Sequence, residues 1–264
     1  MMSLMDHLTT RPSLTRGFMA VWRRNLRVWR KLMVPSLMGN FGEPVIFLLG
    51  LGYGLGRLVG EVDGMSYMVF LASGIVCSSA LTAATFEGLY SAYTRLTQQL
   101  TWSAMLATPL TVDEIVFGEI SWAATKAVIN SAAILAVAAG LGLVTDARAV
   151  LVLPAILAAG MAFGGLAMIV TTVARSYDFF LYYFTLFMTP MMLLSGVFFP
   201  LDELPEVVAR AAHGLPLAHV VALVRPLMTG SWPTAPLINL AVIAAYAGVS
   251  YWLAAAVARR RLRQ

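Results

Sequence analysis

The sequence predicts an all-α integral membrane protein, on the evidence of its composition and its charge distribution. Of its 264 residues, 59% are hydrophobic and only 12% are charged, whereas soluble domains are about 45–50% apolar and about 25% charged. A soluble fold of this size could not cover so much apolar surface, but a lipid bilayer would solvate it. Lys and Arg crowd the first 31 residues and the last six. That pattern is typical of a topological signal and not of a nucleic-acid-binding face, so we expect a bilayer and no nucleic acid as partner.

Six segments are apolar and long enough to cross a bilayer, which takes about 20 mostly apolar residues in a helix. We therefore expect one domain over residues 1–264. It would consist of an N-terminal part (1–36), a six-helix membrane part (37–257) and a basic tail (258–264). The predicted spans are 37–57, 66–87, 115–143, 149–173, 179–200 and 235–257.

The positive charges predict that both termini lie in the cytoplasm. Cytoplasmic loops carry an excess of Lys and Arg, and one assignment of sides gives thirteen such residues inside and four outside. An even number of spans agrees with two basic ends. The inner residues are Arg11, Arg16, Arg23, Arg24, Arg27, Arg30, Lys31, Arg95, Arg175, Arg259, Arg260, Arg261 and Arg263, and the outer ones are Arg57, Arg148, Arg210 and Arg225.

Residues 16–33 predict an amphipathic helix before the first span. At about 100° per residue, the cations share one face, and Asn25 is the only polar residue on the opposite, apolar face. Tryptophans on one face and arginines on the other favour a helix lying flat at an anionic membrane surface. The alternative is a soluble amphipathic helix packed on a protein core. The residues that carry the prediction are Trp22, Arg23, Arg24, Arg27, Trp29 and Arg30.

Four charged residues within predicted spans or at their ends stand out, namely Glu43, Glu87, Glu119 and Lys126. Charges in lipid are costly, and they are usually functional or paired. Glu43 and Lys126 fit a polar path lining and a structural ion pair equally well. Glu87 and Glu119 are better explained by positions at the cytoplasmic boundary.

An aromatic cluster at 177–187 includes Tyr182, Tyr183 and Phe187. These rings could line a path for a sugar or an acyl chain by stacking. The alternative is an interfacial aromatic belt together with ordinary helix packing.

Two loops are candidates for moving parts. The inner loop at 94–119 predicts a short amphipathic helix that ends at Pro109, and it is the best candidate to receive force from a cytoplasmic partner. In the outer loop after Pro200, Pro205 and Pro216 predict the starts of two short helices. Such helices can re-enter a bilayer only where protein buries their backbone, and they could form an outward gate.

The sequence contains no catalytic motif that we could identify. A Walker A loop needs Gly-Lys-Ser or Gly-Lys-Thr at its end, but Lys31 follows Arg30 and Lys126 follows Thr125. The three histidines have no spacing typical of a metal site. We therefore expect no catalytic residue, no metal and no nucleotide site in this chain.

Three passages resemble the permease subunits of type-2 ABC exporters, and the resemblance covers nearly the whole chain. They read EPVIFLLGLGYGLG (43–56), TWSAMLATPLT (101–111) and SGVFFPLDELP (195–205), the last continuing in LPLAH (215–219) and LVRP (223–226). Within that family the chain is most similar to permeases that export lipochitin oligosaccharide nodulation factors and to polysaccharide exporters. The passages AATFE (83–87), WAATK (122–126) and SYD (176–178) carry this closer likeness.

The resemblance implies a homodimer in a bacterial inner membrane, bound to two copies of a cytoplasmic ATPase that holds ATP and Mg²⁺. The substrate would be a lipid-linked glycan or lipo-oligosaccharide. Drug or antibiotic efflux is the first alternative, and a membrane-embedded transferase is the second. The implied coupling helix comprises Arg95, Leu96, Gln99, Leu100, Trp102, Ser103, Met105, Leu106 and Pro109, and the implied gate comprises Pro200, Asp202, Glu203, Pro205, Pro216, His219 and Arg225.

Overall fold

A computed structural model describes residues 12–262, apart from the side chains of residues 35, 37–41 and 43, and the described chain is almost entirely helical. The only strands among the described residues form a two-stranded antiparallel hairpin, β1 (Glu61–Val62) and β2 (Met65–Ser66). The α-helices are α1 (Phe18–Lys31), α2 (Met33–Gly54), α3 (Gly56–Val59), α4 (Tyr67–Phe86), α5 (Thr101–Leu106), α6 (Val112–Gly140), α7 (Val152–Val173), α8 (Phe179–Tyr183), α9 (Thr189–Leu193), α10 (Glu206–Ala212), α11 (Pro216–Met228) and α12 (Pro236–Leu262).

Four helical stretches in the described part are long and apolar enough to cross a membrane. They are Tyr67–Gln98, Val112–Gly140, Ala147–Val173 and Pro236–Leu262. These stretches confirm four of the six predicted spans. A fifth would result if α10 and α11, which meet at a bend of 84°, counted as one.

Two predicted spans correspond to shorter apolar helices, Pro44–Val59 and Phe179–Leu193. The second is shorter than the predicted segment 179–200 because the helix ends at Leu193. The count of six therefore stays a prediction.

Helices α4, α6, α7 and α12 form the packed bundle, and small residues bring their backbones together. A Cβ atom at Gly165 of α7 would overlap Ser250 Oγ of α12. Close approach of this kind is how membrane helices gain van der Waals contact, since lipid removes the hydrophobic drive between them. The glycines of α7 therefore allow close packing of the helices.

The second span continues well past its predicted end at residue 87. After α4, two π-helical turns, Glu87–Ser91 and Thr94–Gln98, carry the helix to Gln98. π-helical turns are rare and occur frequently at functional sites. As a result Arg95, which the sequence places in a cytoplasmic loop, belongs to the end of this long helix.

The basal end of the bundle, where α6 begins and α12 ends, is held by polar contacts from both termini of the chain. Arg259 Nη1 donates to Asp113 Oδ1 at 2.6 Å, and the backbone N–H of Ser13 donates to Asp113 Oδ2 at 2.9 Å. Arg261 donates to the carbonyl oxygens of Thr171, Thr172 and Ala174, where α7 ends. Cations suit helix carboxyl ends because of the unpaired carbonyls there.

Helix α1 packs against α6 through a close contact at Gly118. A Cβ atom at Gly118 would lie 2.6 Å from Val21 Cβ and 2.9 Å from the carbonyl oxygen of Phe18. Gly118→Leu should therefore displace α1 and destabilise the protein by about 1–3 kcal/mol. Thermal unfolding in detergent and protease cleavage within α1 would both measure this.

Gly140→Leu is the matched control, because a Cβ atom at Gly140 of the same helix would meet nothing within 4 Å. If Gly118→Leu unfolded at the temperature of Gly140→Leu and resisted protease equally, the packing of α1 on α6 would be contradicted.

Candidate functional site

Four charged residues meet inside the bundle and form the charge cluster, defined as Glu87, Arg95, Glu119 and Lys126. Arg95 bridges the two carboxylates, since its Nη2 lies 2.8 Å from Glu87 Oε1 and 2.5 Å from Glu119 Oε2. Its Nε donates to Glu119 Oε1 at 3.0 Å. Lys126 Nζ donates to Glu87 Oε2 at 2.9 Å. The end of the α4 stretch is thereby tied to α6.

The cluster is buried and electrically balanced. Glu87 and Glu119 are almost fully enclosed, and the side chain of Arg95 is only 11% exposed. Two carboxylates face two cations, so each charge has a partner. Removing one member of such a group is costly because it leaves an uncompensated buried charge. Glu87 and Glu119 are thus enclosed by protein, and their position at the cytoplasmic boundary stays a prediction, whereas the structural ion pair expected for Lys126 is observed.

Asn25 connects α1 to the cluster. Its Nδ2 donates to Glu119 Oε2 at 3.0 Å, and its own Oδ1 accepts from Arg24 Nη1 at 2.9 Å. Arg24 Nη2 reaches Thr101 Oγ1, the first residue of α5, at 3.4 Å. The single polar residue on the apolar face of α1 is therefore its contact with the buried charges. Sequence reasoning did not assign Asn25 a role, although its misplaced polarity was the available signal.

The apolar face of α1 contacts protein, although the sequence favours a membrane surface for it. Trp22 Nε1 donates to Thr125 Oγ1 at 2.9 Å, and the ring of Trp29 lies edge-on to Trp122 with centroids 6.0 Å apart. The amphipathic helix itself is confirmed. The remaining arginines of the predicted interface helix, Arg23, Arg27 and Arg30, are exposed on the opposite face.

Some of the predicted coupling residues in and around α5 are buried, and others are exposed. Leu96 and Trp102 are buried, and Met105 and Leu106 pack against the apolar residues beneath α5. Leu100, 59% exposed, begins α5 from a left-handed backbone conformation with φ 50°. The predicted residues that are exposed are Gln99, Leu100, Ser103 and Pro109. Together with their exposed neighbours they form what we call the α5 surface, namely Gln99, Leu100, Ser103, Ala104, Ala107, Thr108 and Pro109.

Two of the predicted coupling residues cannot serve as surface contacts in this structure. Arg95 is engaged by Glu87 and Glu119, and Trp102 is fully buried. Exchanging both residues would therefore disturb the interior of the protein. Of the predicted coupling residues, the exposed ones all belong to the α5 surface.

A cavity of about 300 Å³ lies beside Lys126. Its walls come from α2, α4 and α6, together with Met192 of α9 and Phe198 of the following loop. Of the residues predicted to line a substrate path, Lys126 is at this cavity. The side chain of Glu43 lies outside the described residues.

The three aromatic residues predicted for the path are elsewhere. Tyr182 and Phe187 point away from the bundle and are more than half exposed. Tyr183 is buried against α4, and its ring stacks on Phe187 with centroids 5.8 Å apart. Their role in a path between two copies of the chain stays a prediction.

The predicted gate segment contains two short helices, which begin at Glu206, just after Pro205, and at Pro216. Arg225 fixes the preceding loop, since its Nη2 donates to Gly196 O at 2.6 Å and its Nε to Ser73 Oγ at 2.9 Å. His219 shares hydrogen bonds with Asn239 Oδ1 and His213 O. Pro216 is buried and Pro200 half-buried, whereas Asp202, Glu203 and Pro205 are exposed. Their action as a gate stays a prediction.

Comparison with known proteins identifies the family of the chain. Residues 16–229 match the ABC-2 type transporter family. Nodulation protein J of Rhizobium leguminosarum bv. trifolii is 46% identical over 257 residues, which cover 97% of this chain and 98% of the relative. Nodulation protein J of Rhizobium meliloti is 45% identical, covering 93% and 94%.

A more distant relative has a different role in its name. The inner membrane transport permease YadH of Escherichia coli is 21% identical over 199 residues, covering 75% of this chain and 76% of the relative. The family match spans α1 to α11 and so includes the charge cluster, α5 and the two short helices after Pro205. This chain is a multi-pass membrane protein and belongs to the ABC-2 type transporter family.

Proposed function

We propose that this chain is the permease subunit of an exporter in a bacterial inner membrane, and that it moves a lipo-oligosaccharide or lipid-linked glycan outward. It would act as a homodimer with two copies of a separate ATPase, which binds ATP and Mg²⁺. The basal end would face the cytoplasm, with both termini there, and α2 and Phe179–Leu193 would complete six spans. The names of the relatives from the two Rhizobium species support a substrate related to nodulation signals.

The observation that carries this proposal is the connection between the α5 surface and the bundle interior. Helix α5 is short and exposed on one side, while Trp102 anchors its other side in the protein. From Thr101 at its start, hydrogen bonds run through Arg24 and Asn25 to Glu119. A push on α5 by an ATPase would therefore be transmitted to the cluster that joins α1, α4 and α6.

Co-purification tests this proposal. The tagged chain, extracted in mild detergent, should bring down a soluble protein with a Walker A motif in a stoichiometric amount, identified by mass spectrometry. Deletion of the gene that encodes this chain should remove a lipo-oligosaccharide from the medium or a glycan from the cell surface. The proposal would be contradicted if the chain were purified in good yield from several mild detergents without any such protein. A deletion that changed only drug resistance would contradict the substrate.

A further inference from the structure

The cavity beside Lys126 has one polar and one apolar wall. The polar wall is formed by Ser78, Ser79, Thr82, Lys126 and Asn130, on α4 and α6. The apolar wall includes the rings of Phe47, Phe86 and Phe198. Phe47 and Phe86 are each almost half exposed, so they lie where a ligand would enter.

Two of the polar side chains have unused hydrogen-bonding capacity. Asn130 and Ser79 line the cavity and are each only 4% exposed, and within the described part of the chain neither side chain has a hydrogen-bond partner. Polar side chains that line a cavity and have no protein partner can form their hydrogen bonds to water or to a ligand. Since both residues line the same cavity, a ligand there would satisfy an amide and a hydroxyl that the protein leaves free.

The charge balance argues for a neutral ligand. The ammonium of Lys126 is already paired with Glu87 at 2.9 Å, and Arg95 offsets the second carboxylate of the cluster. An anionic headgroup would therefore compete with Glu87 for Lys126. In contrast, the oxygen of a hydroxyl or an amide could accept a hydrogen bond from one of the remaining N–H groups of the ammonium. Lys126 can donate further hydrogen bonds without losing its ion pair, because an ammonium has three donors.

We infer that this cavity binds one sugar ring of a neutral glycan. The hydroxyl groups of the sugar, and an amide substituent where the sugar carries one, would form hydrogen bonds with Asn130, Ser79 and Lys126. The C–H face of the sugar would lie on the phenylalanine rings. A volume of about 300 Å³ is at the lower limit of about 300–1,000 Å³ for ligand pockets. It holds a part of a large amphiphile and not the whole of it. The inference rests on the proposed function, which supplies the glycan, and adds the place and the residues that recognise it.

Asn130→Leu tests the inference, since leucine fills a similar space and no hydrogen bond within the protein is lost. The probe is fluorescently labelled chitotetraose, added to the full-length chain in lipid nanodiscs. We expect Asn130→Leu to weaken binding tenfold or more, as the loss of a hydrogen bond in a buried site predicts. Ser131→Ala is the matched control, because Ser131 is the next residue on α6 but bonds to the carbonyl oxygen of Val76.

Other outcomes would overturn the inference. Equal binding by the wild type and Asn130→Leu would show that the glycan binds elsewhere. Absence of chitotetraose binding to the wild type would show that the cavity is not a sugar site. Displacement of the probe from the wild type by phosphatidylglycerol, but not by unlabelled chitotetraose, would show a lipid headgroup site. The same preparations should also be tested for the co-purified ATPase. If the ATPase is present but the cavity binds no sugar, this inference fails while the proposed function stands.

Discussion

Replacing Arg95 with methionine should lower the free energy of unfolding by about 3–5 kcal/mol, the cost of leaving a buried charge without its partner. Arg95 makes the hydrogen bonds that join Glu87 to Glu119. Without it, Glu119 keeps only the amide of Asn25, and Glu87 keeps only Lys126. Thermal unfolding of the detergent-solubilised protein would measure the loss, and low expression would accompany it.

Arg27→Met is the control, because Arg27 is exposed on α1 and surface substitutions usually change stability by no more than about 0.5 kcal/mol. The double variant Arg95→Met/Glu119→Gln should be more stable than Arg95→Met alone, since it also removes the unpaired carboxylate. Coupling of about 0.5–3 kcal/mol between the two positions is expected for contacting residues. A variant Arg95→Met as stable as Arg27→Met would contradict the burial and pairing of the cluster.

A charge placed on the α5 surface should abolish transport and leave the fold intact. Ala104 is exposed on α5, so Ala104→Glu should change the free energy of unfolding by no more than about 0.5 kcal/mol. If this surface sits in a cleft of the ATPase, a buried and unpaired carboxylate there costs several kcal/mol of binding. We expect at least a tenfold loss of glycan export and a matching loss of co-purified ATPase.

Thr234→Glu is the control for that substitution, because it adds the same charge to an exposed residue at the opposite end of the bundle. The loop that holds Thr234 follows α11 and is fixed near the end of α6, where Arg148 Nη1 donates to Gly230 O at 3.2 Å. Thr234→Glu should retain the ATPase. Normal export by Ala104→Glu, at normal protein level, would remove α5 from the coupling path.

The sequence predicts the helices more completely than it predicts the surfaces against which they pack. Four of the spans are confirmed because hydropathy alone selects them, and α1 is confirmed because its cations and apolar residues separate so cleanly. The surface that covers α1 could not be predicted in the same way. An apolar helix face fits a lipid surface and a protein surface equally well, since lipid tails are as apolar as leucine.

The charge cluster was only partly predictable. Glu87, Glu119 and Lys126 were recognised because charges within apolar segments are conspicuous, and Glu119 and Lys126 lie on nearly the same face of α6. The position of Arg95 depends on the π-helical turns after Glu87, and periodicity cannot predict such turns. Asn130 and Ser79 attract no attention in a sequence, because only the folded bundle shows that they line one cavity without a hydrogen-bond partner in the described protein.

The central claim is that an ATPase presses on the α5 surface, and site-specific cross-linking tests it most directly. Cys77, the only cysteine of the chain, is fully buried, so a Ser103→Cys variant carries one reactive thiol. Treated in membranes with a short thiol-to-amine cross-linker, Ser103→Cys should form an adduct with a protein that carries a Walker A motif, and Thr234→Cys should form none. If Ser103→Cys gave no such adduct while the ATPase was present in the same membranes, or if Thr234→Cys gave the same adduct, the account would be contradicted.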